Sequence, residues 1–338
     1  MRAAHAILAC LLTGCATPQR PVTDLREAPA DYEWRLPPGF PAPAVPTDNR
    51  MSALKVELGR ELFYDQRLSF NGAISCASCH VQSLGFGDGH ARPMGATGDA
   101  HPRSSMALAN VAYNRAFTWI DRKPRSLEEQ MMQTLFNEHP IEMGLASHEA
   151  TVVGRIARDS RYRDLFATAF PAETIPVQLT NIVRAIASFE RTLISGRSPF
   201  DRYLFDDDRT ALSPAARRGM DLFFGKRAGC AACHNGLTQG GTEPEYANTG
   251  VVRAGRQAFR VPSLRNIEVT APYMHDGSIA TLDAVLEHYA AGGRFRGPAT
   301  DRRILPLKLS AAERRDLIEF LKALTDHDFL SDSRFAKP

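Results

Sequence analysis

Cysteine is nearly all committed in this chain. Of six cysteines in 338 residues, four lie in two short boxes, Cys10 lies in an apolar leader, and Cys15 directly follows that leader. None is left for a disulfide framework, so a disulfide-stapled scaffold is excluded. Tryptophan is scarcer still, with only Trp34 and Trp119. Beyond the first residues, no apolar run reaches the roughly 20 residues that a membrane-spanning helix needs. A dominant charge is also missing. The 41 basic and 38 acidic residues leave a net +3, which gives no reason to propose nucleic acid as a partner. Strand-like runs are few and short. At 43 % hydrophobic and 23 % charged residues, the composition is that of a globular protein, with length enough for two cores.

What is present is a pair of boxes, Cys76-Ala77-Ser78-Cys79-His80 and Cys230-Ala231-Ala232-Cys233-His234. Each reads as a c-type haem attachment site. The two thiols add across the haem vinyl groups and the adjacent His gives a nitrogen to iron. Zinc ribbons also use Cys-x-x-Cys pairs, but they do not require a His after each. Two covalently bound haems mean redox chemistry and leave open which kind.

The first 15 residues read as an export signal. Met1-Arg2 is its positive end and Ala3 to Leu12 its apolar stretch. Leu12-Thr13-Gly14-Cys15 resembles a bacterial lipoprotein box, with Cys15 as the lipidated residue; an ordinary cleaved signal peptide is the alternative. A periplasmic protein, held to a membrane only through its lipid, is expected. Residues 16–50 form a Pro-rich arm. Residues 51–205 and 206–338 are expected to be two cytochrome c-like haem domains, because Gly59-x-x-Leu62-Phe63 and Gly219-x-x-Leu222-Phe223 each precede a haem box. Helices are expected from Ser52, from Ser213-Pro214, and after the Ser126/Glu129 and Ser310/Glu313 capping patterns. Val177–Ile194 and Ala311–Leu324 are amphipathic. The fold class is mainly α, with long loops and few short strands.

The second axial position of each iron decides function: an open site binds peroxide or oxygen, a filled one transfers electrons. In the segment capped by Thr281, Leu282, Val285, Leu286 and Tyr289 share one helix face, and His288 points elsewhere. Tyr289 is either a packed core residue or, beside a haem, an iron ligand.

Several ordered segments carry a family resemblance. They are Ser126-Leu127-Glu128-Glu129-Gln130, Pro140-Ile141-Glu142-Met143-Gly144, Val261-Pro262-Ser263-Leu264-Arg265-Asn266 and Thr270-Ala271-Pro272-Tyr273-Met274-His275-Asp276-Gly277. With the two boxes they resemble the diheme cytochrome c peroxidase and MauG superfamily over about residues 45–325. The resemblance implies that His234 and Tyr289 ligate the second iron, where the peroxidases usually have Met and the MauG branch has Tyr. Met274 is the rival ligand, at a position that is usually aromatic. Ala96 stands where many peroxidases carry a blocking His, with His90 and His101 on either side, so the first iron is expected to be held by His80 alone. Glu142 is implied as the acid–base residue at that iron, Gln130 as its hydrogen-bonding neighbour and Trp119 as the ring between the haems. The resemblance also implies calcium on the Thr270 and Pro272 carbonyls, with Ser104 where Asn is usual.

Val45-Pro46-Thr47-Asp48-Asn49-Arg50-Met51-Ser52, His101-Pro102-Arg103-Ser104-Ser105-Met106 and Leu108-Ala109-Asn110-Val111-Ala112-Tyr113 resemble the MbnH-like diheme enzymes. These are implied to convert a tryptophan of a copper-binding partner, MbnP, to kynurenine. The expected function is therefore use of hydrogen peroxide to form a high-valent diheme state that oxidises a residue of an exported partner. The alternatives are a cytochrome c peroxidase fed by a small cytochrome or cupredoxin, and a non-enzymatic electron-transfer cytochrome. MauG uses a surface tryptophan before its second box; here that position is Ala228.

Overall fold

The structure, a computed structural model, describes residues 32–241, 246–252 and 257–338. The leader, with Cys10 and Cys15, lies outside the described residues. Among those described, ten helices and a single two-stranded ribbon make a mainly helical protein. No described helix is long and apolar enough to cross a membrane. In chain order the helices are α1 (Ala53–Phe63), α2 (Leu127–Phe136), α3 (Glu149–Ala157), α4 (Ser160–Ala169) and α5 (Leu179–Glu190). Then come α6 (Pro199–Phe205), α7 (Pro214–Phe224), α8 (Leu282–Ala290), α9 (Ala311–Lys322) and α10 (His327–Ser331). The strands are β1 (Tyr246–Ala247) and β2 (Phe259–Arg260), antiparallel.

The helix starts follow local chemistry. Ser52, Ser126, Ser213, Thr281 and Ser310 each accept a backbone N–H at the head of a helix, satisfying donors that the first turn leaves unpaired. Of these five, only Ser310, with Glu313, closes a reciprocal box. Glu129 instead accepts the Arg125 N–H at 2.7 Å. Helix α5 is shorter at both ends than the amphipathic stretch that announces it. After Glu190 the chain turns, the Thr192 and Leu193 N–H groups going back to Phe189 and Glu190.

The repeated Gly-x-x-Leu-Phe has a packing cause. Helix α1 crosses α5 at Gly59, and α7 crosses α9 at Gly219. A Cβ on Gly59 would stand 2.0 Å from the Ala185 carbonyl, and one on Gly219 2.0 Å from that of Asp316. The phenylalanine of each motif then meets a phenylalanine of the crossing helix. Phe63–Phe189 and Phe223–Phe320 both have ring centroids 5.2 Å apart. Each crossing anchors its own core: Leu58, Leu62 and Ile186 in the first, Phe200, Leu317 and Leu321 in the second. Gly59→Ala and Gly219→Ala are each expected to cost about 1–3 kcal/mol by overpacking. A thermal unfolding midpoint unchanged by either variant would show that the helices separate freely.

Packing apportions the chain less simply than a boundary at 205/206. Phe200 of α6 joins the second core, while Phe329 and Phe335, near the C-terminus, join the first. The described part of the N-terminal arm wraps both. Phe40 packs edge-on to Tyr113 and to Phe205.

Candidate functional site

Both boxes fold alike. Cys76–Ser78 and Cys230–Ala232 are single 3-10 turns. The following His returns its backbone N–H to the first Cys, at 3.0 Å for His80 and 2.9 Å for His234. The thiols are free of disulfides. Each imidazole is then held from behind: His80 Nδ1 meets the Phe86 carbonyl at 2.8 Å, and His234 Nδ1 meets that of Gln239 at 3.0 Å. Phe86 and Gln239 are both non-glycine residues with positive φ, 63° and 49°. That uncommon backbone region turns each carbonyl toward its imidazole. With Nδ1–H donated, Nε2 is the nitrogen that would ligate iron. Burial also holds the His80 pKa down, so the neutral, ligating form prevails.

A cavity of about 940 Å³ opens on the first box, near the top of the roughly 300–1,000 Å³ usual for cofactor pockets. Cys76, Cys79, His80, Trp119, Gln130 and Glu142 all line it. Trp119 is fixed by its indole N–H, which donates to the Ser104 carbonyl at 2.8 Å. Burial raises the pKa of Glu142, partly opposed by a hydrogen bond with Thr134. Gln130 Nε2 donates to Thr134 Oγ1 at 3.0 Å. Gln130, Thr134 and Glu142 therefore form one polar chain along the wall. His101 belongs to it too, its Nδ1 3.5 Å from Glu142 Oε1. Ala96 is buried and brings no ligand; its N–H goes to the Glu142 carbonyl at 2.8 Å.

Two lining residues escaped sequence reasoning. Thr134 lies one turn after Gln130 on α2, a spacing that puts both on one face. Glu190 follows Ile182 and Ile186 at helical intervals on the buried face of α5. Burial pushes its carboxyl up to about 8, and its Oε2 has no partner among the described residues. An acid in an apolar stripe was the available signal.

At the second box, Tyr289 of α8 is the residue facing the thiols. Burial raises its phenol pKa first, and Cys230 and Cys233 raise it further. His288 leaves in another direction and is buried against the Thr249 carbonyl at 2.9 Å. Ser104 Oγ donates to the Met274 carbonyl at 3.0 Å. Among the described residues there is no cluster of three or more His, Cys, Asp or Glu able to hold a metal.

Comparison with known proteins gives this geometry its family. Residues 53–209 match the di-haem cytochrome c peroxidases and residues 216–325 match cytochrome c. The methylamine utilization protein MauG of Methylorubrum extorquens is 38 % identical over 95 % of this chain and 91 % of its own. The chain belongs to the di-haem cytochrome c peroxidase and MauG family. The cytochrome c551 peroxidase of Nitrosomonas europaea, another relative, is 34 % identical over 84 % of this chain and 83 % of its own. The crystal structure of a MauG-like protein associated with microbial copper homeostasis superposes with a TM-score of 0.85 at 38 % identity, covering 91 % of this chain and 99 % of that one. As a member of this family the protein is a haem peroxidase-type oxidoreductase with two c-type haems, acting with hydrogen peroxide and a partner protein or electron carrier. Its own residues fit two haems: paired thiols outside any disulfide, an imidazole held through Nδ1 at each box, and a cavity of matching size at the first.

Proposed function

We propose that this protein uses hydrogen peroxide to oxidise a residue of an exported partner, with conversion of tryptophan to kynurenine on an MbnP-like copper-binding protein as the specific reaction. The observation that carries this reading is Tyr289, half-buried beside Cys230 and Cys233, where it would give iron an anionic phenolate ligand that favours the oxidised state. Likeness to a structure associated with copper homeostasis supports the choice of partner. When bound, the haems supply peroxide reduction at iron and hold the two oxidising equivalents.

The chain's own residues do the rest. His80 and Cys76/Cys79 hold the first haem, and His234, Tyr289 and Cys230/Cys233 the second. Glu142 takes a proton from one peroxide oxygen and returns it to the other. Thr134, braced by Gln130, orients that carboxylate. Trp119 offers an aromatic ring between the two sites. The carbonyls of Thr270 and Pro272 are the proposed calcium ligands, as backbone oxygen suits a hard cation. Export and anchoring through Cys15 place the enzyme at the periplasmic side of a membrane.

The test is to mix the diheme protein, the partner and peroxide, then measure the intact mass of the partner. The mass change of a Trp-to-kynurenine conversion is expected, and it is lost when the partner tryptophan is Phe. An unmodified partner together with rapid peroxide turnover by reduced cytochrome would sink the proposal in favour of a cytochrome c peroxidase.

A further inference from the structure

Three described arginines are buried: Arg191, Arg260 and Arg265, at 3 %, 8 % and 2 % exposure. Two have carboxylate partners. Arg265 grips Asp201 through bonds of 2.8 and 2.9 Å, and Arg191 donates to Glu128 at 2.7 Å. Arg260 has none among the described residues. Among the described residues its guanidinium reaches the Met106 Sδ, at 3.9 Å, a weak acceptor. Burial pulls its pKa down to about 10, with only Tyr246 opposing. A buried cation without an anion is among the costliest arrangements in a protein interior.

A second group is stranded at the same place. Tyr246 is the direct cross-strand partner of Arg260, so both side chains leave the ribbon on one face. The Tyr246 hydroxyl is buried without a partner among the described residues, and the Arg122 guanidinium lies 4.0 Å from its ring centroid. Among the described residues, a cationic fork and a hydroxyl thus lack an acceptor together, an arrangement that suits a carboxylate.

The position selects the carboxylate. Arg260 stands just behind the wall of the cavity at the first box: its backbone N–H donates to the Trp119 carbonyl at 2.9 Å, its guanidinium touches the Met106 Sδ, and Trp119 and Met106 both line that cavity. A haem carries its propionates on the edge remote from its vinyl groups. With the vinyls tied to Cys76 and Cys79, the propionates would point away from those thiols. Resting on the haem assignment made above, we propose that Arg260 and Tyr246 bind a propionate of the haem attached at Cys76 and Cys79.

The test uses the holoprotein with Arg260→Gln, Arg260→Lys and Tyr246→Phe. Each haem is titrated spectroelectrochemically, and propionate bending bands are followed by resonance Raman. Removing a cation favours the more positive ferric state. Arg260→Gln is therefore expected to lower the potential of the His80 haem and shift its propionate bands, leaving the His234 haem unmoved. Arg260→Lys should keep most of the potential, and Tyr246→Phe should give a smaller downward shift. Unchanged potential and bands in Arg260→Gln overturn the proposal. So does a wild-type potential that responds to added chloride or inorganic phosphate and ceases to in Arg260→Gln, which assigns the site to a free anion. If Arg260→Gln yields no folded holoprotein, unmoved bands in both Arg260→Lys and Tyr246→Phe overturn it instead. Partner oxidation is not read, so failure here is distinct from failure of the proposed reaction.

Discussion

Glu142→Gln is expected to slow the reaction with hydrogen peroxide by about 10²–10⁴-fold, the usual contribution of a placed acid–base group. Both haems should remain attached, since Glu142 is neither a thiol nor an iron ligand. The substitution keeps the shape of the side chain and its ability to accept from Thr134, and removes only its capacity to take a proton. The pH profile supplies the second half of the test. Burial raises the Glu142 pKa above its ordinary 4.5, and only the ionised form takes a proton. The wild-type rate should therefore fall as pH drops through that raised value, and this limb should vanish in Glu142→Gln. Stopped-flow measurement of the haem spectrum after mixing with peroxide reads both. A variant within tenfold of wild type, with the same acid limb, would remove Glu142 from the role.

Tyr289→Met is expected to have the other large effect. A neutral thioether in place of a phenolate favours ferrous iron. The potential of the second haem should rise by on the order of 0.1 V or more, within the roughly 0.8 V that axial ligands span. Oxidation of the partner should be lost, and peroxide turnover with a reduced carrier should appear. Spectroelectrochemical titration of the two haems decides it. If the second haem keeps its potential, Tyr289 is a packed core tyrosine and the asymmetry between the two sites has another cause.

What could be read in the sequence was short-range. Haem boxes, serine caps and the glycine-led helix motif are all defined within a few residues, and each appears where local chemistry puts it. The gathering of Glu142, Gln130 and Trp119 at the His80 box was implied by resemblance and not by spacing, because nothing local relates position 119 to position 142. Thr134 and Glu190 went unread for a different reason. Thr134 looks ordinary on its own helix, Glu190 stands out only as an acid in an apolar stripe, and the fold alone shows that both face the cavity. The carbonyls that fix the two imidazoles were equally hidden. They depend on Phe86 and Gln239 adopting positive φ, which neither residue type announces.

The return of the C-terminus has a consequence for how the molecule is assembled. The Phe86 ring, whose carbonyl holds His80, packs against Phe329 with centroids 5.7 Å apart. In the same region Gln82 Nε2 donates to the carbonyls of Phe329 and Asp332, at 3.2 and 2.8 Å. The earliest haem site in the chain is therefore among the last to be completed. Its buttress leaves the ribosome only after the whole second site has been made. An isolated N-terminal half would carry every residue of the first haem box and lack the brace behind it. A protease nick or a fused tag near position 329 would be felt first at the distant His80 imidazole.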